Sequence, residues 1–144
     1  MLSYTVNVFE ALKEIAKGNE QAHSFMRAFY IWVQTQDDLF DRDKPVPAAT
    51  LASTNMNFLI EVSNNPFYRE NSNVLLPVLM SASLAWVASE DFARREGPLD
   101  RLSSQVIKSQ YQDVFFQVAL LVGGIDHCLA MQAKFRSYYF DQTP

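Results

Sequence analysis

The chain has 144 residues, a formal net charge of −4 and one cysteine. This length suits a single domain with one core, and a hydrophobic fraction of 49% against 19% charged residues excludes a disordered chain. The weak negative charge argues against the concentrated basic face that nucleic-acid binding requires, so we expect no nucleic-acid partner.

The compartment expected from the sequence is the cytoplasm. Cys128 is the single cysteine, so no internal disulfide can form, as is usual in a reducing environment. The first residues lack the cationic start and apolar run of a signal peptide. No uninterrupted apolar stretch approaches the roughly 20 residues that span a bilayer, so we expect no membrane partner.

Helical periodicity begins near the N-terminus. Ser3 can cap a first helix that runs to about Lys17 and is stopped by Gly18. Asn19 can cap a second, longer helix with an aromatic face, and this helix should end by Lys44 because a proline follows.

The third helix is expected to carry Pro47 in its first turn and to end near Asn64. Residues 64–66 read Asn-Asn-Pro and should break the chain. Phe67 and Tyr68 are then expected to pack the following loop against the bundle.

A fourth helix is predicted to begin at Asn71 or Ser72 and to run to about Glu96, where Gly97 stops it. Pro77 is tolerated there in the first turn or at a kink.

A fifth helix is predicted from about Asp100, and Gly123 and Gly124 should then bend or break the chain before a last helix that ends near Asp141. One side of the fifth helix is predicted to hold Leu102, Val106, Asp113 and Leu120. No window alternates as a half-buried strand does. The predicted fold is therefore an all-α, single-domain antiparallel bundle of five or six helices covering residues 1–144.

An acidic segment ends the second helix, where Asp37, Asp38 and Asp41 spell DDxxD. Carboxylates at i and i+4 project from one helix face, and Mg²⁺ takes oxygen ligands of this kind. The alternative is an acidic helix end that keeps the protein soluble, its charge offset by Arg42 and Lys44. The three aspartates are thus candidate magnesium ligands.

Polar residues beside this segment are candidate ligand-binding residues. Tyr30 and Gln34 share the edge of the apolar face with Asp37. Asp113 joins them because its helical neighbours are predicted to be buried, and a carboxylate near a core must be paired, metal-bound or protonated. Glu90, Asp91 and Asp126 are further acids that a metal site would need from across the bundle.

The segment Asp37-Asp38-Leu39-Phe40-Asp41, followed by Arg42 and a proline, resembles the first aspartate-rich motif of isoprenoid synthases. That resemblance implies magnesium and a diphosphate-bearing ligand held between facing helices. The chain departs from this family because it has no second aspartate-rich motif and is far shorter.

A broader resemblance is to small uncharacterised proteins of tailed bacteriophages. The residues that carry it are DDLFDRDKPV, then NPFY at 65–68, a Leu-rich helix with Trp86 and Glu90, and VGG at 122–124. It implies an accessory or host-interaction role in the host cytoplasm and brings no activity with it.

These observations leave three hypotheses open. The first is a non-catalytic phage-type accessory protein that acts through a protein partner or a homo-oligomer. The second is magnesium-dependent binding or turnover of a diphosphate-bearing ligand at Asp37, Asp38 and Asp41. The third is a structural phage component.

Overall fold

The computed structural model of the chain describes residues 4–41 and 44–142, with side chains from 8 to 40 and from 44 to 136. Over this part of the chain it contains α-helices and one 3₁₀ turn, and no strand. The prediction of an all-α bundle is therefore confirmed. The helices are α1 (Tyr4–Ala16), α2 (Glu20–Asp41), α3 (Ala48–Asn64), α4 (Pro66–Ala93), α5 (Asp100–Lys108) and α6 (Asp113–Gln142), with the 3₁₀ turn Ser109–Gln112 between the last two.

Three helix pairs make the most extensive contacts, α4 with α5, α1 with α6, and α2 with α3. Further contacts of α2 with α4 and of α4 with α6 join these pairs into one bundle. The sequence-distant pair of α1 and α6 brings the two ends of the chain together.

The first two helix boundaries confirm the sequence prediction. Lys17 and Gly18 both adopt positive φ, 51° and 85°, which ends α1. The Asn19 side-chain oxygen then accepts a hydrogen bond from the Ala22 amide at 2.9 Å and caps α2. Ser3 lies outside the described residues.

A buried asparagine holds the junction between α3 and α4. The Asn65 side-chain oxygen accepts from the Tyr68 amide at 3.1 Å, which caps α4, and Pro66 fills the first helical position. The Asn65 side-chain nitrogen donates to the Gln21 carbonyl at 2.8 Å and to Glu61 Oε2 at 2.6 Å. One side chain therefore ties α2, α3 and α4 together.

The predicted start of the fourth helix is wrong. Because Asn65 and Pro66 form a complete helix start, α4 begins there, and Phe67 and Tyr68 are buried residues of its first turn and not a loop. The expected start at Asn71 corresponds to a local distortion, since Asn71 has φ −117° and ψ 16° within the helix. Pro77 lies inside α4 beyond this distortion.

The expected fifth helix is also shorter than predicted. It ends at Lys108, and the 3₁₀ turn Ser109–Gln112 separates it from α6. A 3₁₀ turn advances the chain by three residues per turn instead of 3.6, so it shifts the helical phase. Leu102, Val106, Asp113 and Leu120 are all exposed, so the predicted burial of Val106 and Leu120 on either side of Asp113 is wrong.

Gly123 and Gly124 are each required for a different reason. Gly124 bends α6 with φ 83°, a conformation that a residue with a side chain rarely adopts. A methyl group at Gly123 would collide with the ring of His127, whose Nε2 lies 2.9 Å from the Ile15 carbonyl oxygen. The predicted bend at this pair of glycines is thus present.

Aromatic side chains form the centre of the core. Phe29 of α2 lies edge-on to Phe115 of α6 with ring centroids 5.7 Å apart. Phe115 also contacts Phe135 at 5.4 Å, and Phe29 contacts Phe58 of α3 at 5.9 Å. Ring pairs at these separations are favourable beyond the area they bury.

Two segments, α4 and Asp100–Arg136, are long and apolar enough to cross a bilayer by length and composition alone. The search of the sequence for uninterrupted apolar stretches missed these two segments, because a few polar residues interrupt each of them. The core helix of a soluble protein meets the same criterion when it is mostly buried, whereas the apolar windows of these two segments are 17% and 28% buried.

Replacing Asn65 by alanine is expected to destabilise the fold by about 1–3 kcal/mol, because it removes the cap of α4 and leaves buried polar groups without their partner. Urea unfolding followed by circular dichroism measures the change. The matched control is Asn64→Ala, since Asn64 is the exposed neighbour in sequence. Equal losses in the two variants would contradict this role of Asn65.

Candidate functional site: a cavity beside the acidic segment

A cavity of about 420 Å³ lies between α2 and α4, beside the acidic segment. This volume is in the range of small-molecule sites. Aromatic and aliphatic side chains form most of its wall, and a few polar groups share it. The lining residues from α2 are Phe29, Trp32, Val33, Gln34, Gln36 and Asp37. Those from the rest of the chain are Ala82, Ser83, Trp86, Val87, Lys108 and Tyr111.

The charged groups at this cavity form a trio of one ammonium between two carboxylates. Lys108 donates a hydrogen bond to Asp37 Oδ1 at 3.2 Å. Its Nζ also lies 3.2 Å from Glu90 Oε1, in a geometry that makes an ion pair without a hydrogen bond. The three side chains are only partly exposed, 27% for Asp37, 25% for Lys108 and 14% for Glu90. The trio therefore links α2, α4 and α5.

Trp32 is held in the cavity wall by a hydrogen bond to α3. Its Nε1 donates to Asn55 Oδ1 at 3.1 Å, and the same oxygen accepts from Gln36 Nε2 at 3.3 Å. At the opposite wall, Trp86 packs edge-on against Phe40 with centroids 4.9 Å apart. Both indole rings are thus fixed by neighbours outside the cavity.

The structure separates the predicted residues of α2. Gln34 and Asp37 line the cavity, as their shared edge suggested. Tyr30 is buried in the core, where its ring lies 5.7 Å from that of Phe9, and it does not line the cavity. Asp38 is partly buried away from the lining, and the side chain of Asp41 lies outside the described residues.

The other predicted acids do not join Asp37. Asp113 is exposed and lies 3.4 Å from Arg136 of the same helix. The expectation that Asp113 sits near the core is wrong, because its predicted neighbours Val106 and Leu120 also face solvent. Asp91 pairs with Arg95 on the exposed side of α4 at 2.8 Å. Glu90 is the one of these acids that reaches Asp37, through Lys108.

Asp37 and Glu90 do not form a magnesium site as the structure places them. The predicted site of Asp37, Asp38 and Asp41 stays a prediction, because the side chain of Asp41 lies outside the described residues. Among the side chains that the structure describes, no three His, Cys, Asp or Glu residues are grouped so as to hold a metal ion. The ammonium of Lys108 stands where a cation bridging Asp37 and Glu90 would have to lie. A diphosphate is equally disfavoured, since the lysine that would meet it is already paired with two carboxylates.

The two tryptophans and Lys108 line the cavity, although they were not predicted to do so. Trp32 and Trp86 have the helical spacing of core residues, and nothing in a single sequence distinguishes a wall of a cavity from a filled core. One feature of the sequence pointed to Lys108. It is the basic residue in the last turn of α5, where the helix dipole favours a cation.

A second, more polar cavity of about 440 Å³ lies between α2 and α3 and contains His23. The Nε2 atom of His23 is buried and has no hydrogen-bond partner among the described residues. Burial lowers the pKa of His23 below its ordinary value, and the nearby cations Arg27 and Lys13 lower it further. His23 is therefore held neutral in this wall.

No protein-family model, curated protein or solved structure matches the chain. The resemblances read from the sequence stay predictions. The geometry of the cavity and of the helix surfaces is what bears on function.

Lys108→Met is expected to destabilise the protein by about 1–2 kcal/mol, less than for a fully buried pair because the trio is partly solvated. The loss arises because Asp37 and Glu90 are left facing each other without a cation. Thermal and urea unfolding measure it. Arg95→Met is the matched control, since its pair with Asp91 is exposed and should be worth less than about 1 kcal/mol. A Lys108 variant as stable as the control would contradict the structural role of the trio.

Acid is expected to destabilise the wild type through His23. The folded-state pKa is below the unfolded value of 6.5, so the unfolded chain binds more protons as the pH falls through that value. Stability from this group is complete above the unfolded pKa and is lost as the pH falls towards the folded pKa. Urea midpoints at about pH 7.5 and about pH 5.5 should therefore fall further for the wild type than for His23→Gln. An equal fall in both proteins would contradict the prediction.

Proposed function

We propose that the chain is a non-catalytic accessory protein that acts by associating with a second copy of itself through the outer face of α4. This face carries Leu76, Met80, Leu84 and Val87, which are spaced so that they form one stripe along the helix. Leu84 is 71% exposed and Val87 61%, so the stripe is open to a partner. We call these four residues the α4 stripe.

The amount of exposed surface supports association. The chain of 16.5 kDa exposes 8681 Å². A compact monomer of this mass is expected to expose roughly 7,500 Å², so about 1,200 Å² is in excess. One partner in a standard protein interface contributes about 800 Å². The excess is therefore large enough for one such interface.

The charge pattern of α4 favours a copy of the same chain as the partner. Residues 71–89 contain no charged side chain. In a two-fold dimer the same patch meets itself, so an uncharged apolar stripe avoids the like-charge repulsion that would otherwise oppose pairing.

Exposed polar residues interrupt the surface around the α4 stripe, and these favour a protein partner over lipid. Asn73, Ser81 and Ser83 are exposed on the same helix. A lipid-facing helix would leave such groups desolvated, whereas protein interfaces combine an apolar centre with a polar rim. The role in an infected host cell stays a prediction from the sequence resemblance.

Leu84→Glu is expected to weaken self-association by at least about tenfold, because it places a charge in the centre of the apolar contact. Sedimentation velocity from about 1 to 100 μM should show the wild type becoming dimeric, since standard interfaces bind at micromolar levels or tighter. Ser53→Glu is the matched control, because it adds the same charge at an exposed position of α3, outside the α4 stripe.

Two results would overturn this proposal. One is a wild type that stays monomeric over the whole concentration range. The other is co-flotation of the wild type, but not of Leu84→Glu, with phosphatidylcholine vesicles, which would assign the α4 stripe to a membrane surface.

A further inference from the structure

We infer that the cavity between α2 and α4 is a binding site for a small organic amine with an aromatic or alkyl body. The cavity is formed by α2 and the inner edge of α4, and of the α4 stripe only Val87 also lines it.

The polar groups of the cavity wall offer acceptors that the protein does not use. Asp37 Oδ1 accepts from Lys108, and no hydrogen bond reaches Asp37 Oδ2 from the described residues. The side-chain amide of Gln34 makes no hydrogen bond within the same part of the chain, and Gln36 uses only its nitrogen, towards Asn55. A primary ammonium has three donors and no acceptor, so it matches this set.

The balance of charge selects a cation over an anion. Asp37 and Glu90 share the one ammonium of Lys108, which leaves one negative charge in excess among these three groups. The trio is partly buried, so water screens that charge less than it would at the surface. A carboxylate or phosphate ligand would meet this excess negative charge, whereas an ammonium compensates for it.

The aromatic walls select the rest of the ligand. The rings of Trp32 and Trp86 line the cavity with Phe29 and Val33, so an apolar body of the ligand is removed from water there. Indole rings also attract a nearby cation through their electron-rich faces. A charged head with a flat or aliphatic body satisfies both parts of the site.

Binding can be measured without a label. The chain has two tryptophans, and both line this cavity. Intrinsic fluorescence therefore reports on the site directly. The probes are phenethylamine, the neutral 2-phenylethanol and the anionic 3-phenylpropionate, which share an aromatic body and differ in the head group. Protein is kept at a concentration where it is monomeric.

Phenethylamine is expected to give a saturable change in emission, with 2-phenylethanol binding about tenfold more weakly and 3-phenylpropionate more weakly still. Asp37→Asn should weaken phenethylamine binding about tenfold and leave 2-phenylethanol binding unchanged. Asp91→Asn is the matched control and should change neither, because Asp91 is exposed and outside the cavity.

A second variant keeps the test independent of the charge trio. Ser83→Leu places a larger side chain in the cavity wall, at an exposed position whose hydroxyl bonds only the Leu79 carbonyl of its own helix. It should weaken binding of both phenethylamine and 2-phenylethanol.

Three results would overturn the inference. The first is equal binding of the three probes, or tighter binding of 3-phenylpropionate. The second is unchanged phenethylamine binding in both Asp37→Asn and Ser83→Leu. The third is tighter binding of Nα-acetyl-lysine amide than of phenethylamine, which would assign the site to a lysine side chain of a protein.

Discussion

The contact of Phe29 with Phe115 is the interaction on which the rest of the bundle depends. It joins α2 to α6, and through Phe58 and Phe135 it extends from α3 to the C-terminal part of the chain. Phe29 also lines the cavity. The same ring therefore completes the core on one side and forms a wall of the candidate site on the other, so the site is as rigid as the core behind it.

Polar side chains connect the helices on the side of the bundle that the aromatic core does not reach. Lys108 links α2, α4 and α5 through Asp37 and Glu90, and Asn65 links α2, α3 and α4 at the opposite turn. Between these two polar contacts, α4 buries few side chains. Its inner edge contributes Ala82 and Trp86 to the cavity. The outer edge of α4 remains apolar and exposed, and Val87 is the residue of the α4 stripe that also lines the cavity.

The cavity combines features of a small-molecule binding site. The carboxylate in the cavity, Asp37, is paired with Lys108, and Asp91 and Asp113 form separate ion pairs elsewhere. The described residues provide a shaped apolar wall with a charged edge.

The sequence by itself determined the all-α class, the end of α1 at Gly18, the Asn19 cap and the bend at Gly124, because each depends on local backbone chemistry. It also placed Gln34 and Asp37 on one edge, since helical spacing fixes which residues share a face.

Only the tertiary structure decided what those edges face. The 3₁₀ turn at Ser109–Gln112 ends α5 early, and Asp113 lies at the surface together with Val106 and Leu120. The pairing of Asp37 with Lys108, 71 positions later in the chain, depends on how α2 and α5 pack against α4. No local pattern encodes such a contact, because it arises from packing between helices distant in sequence.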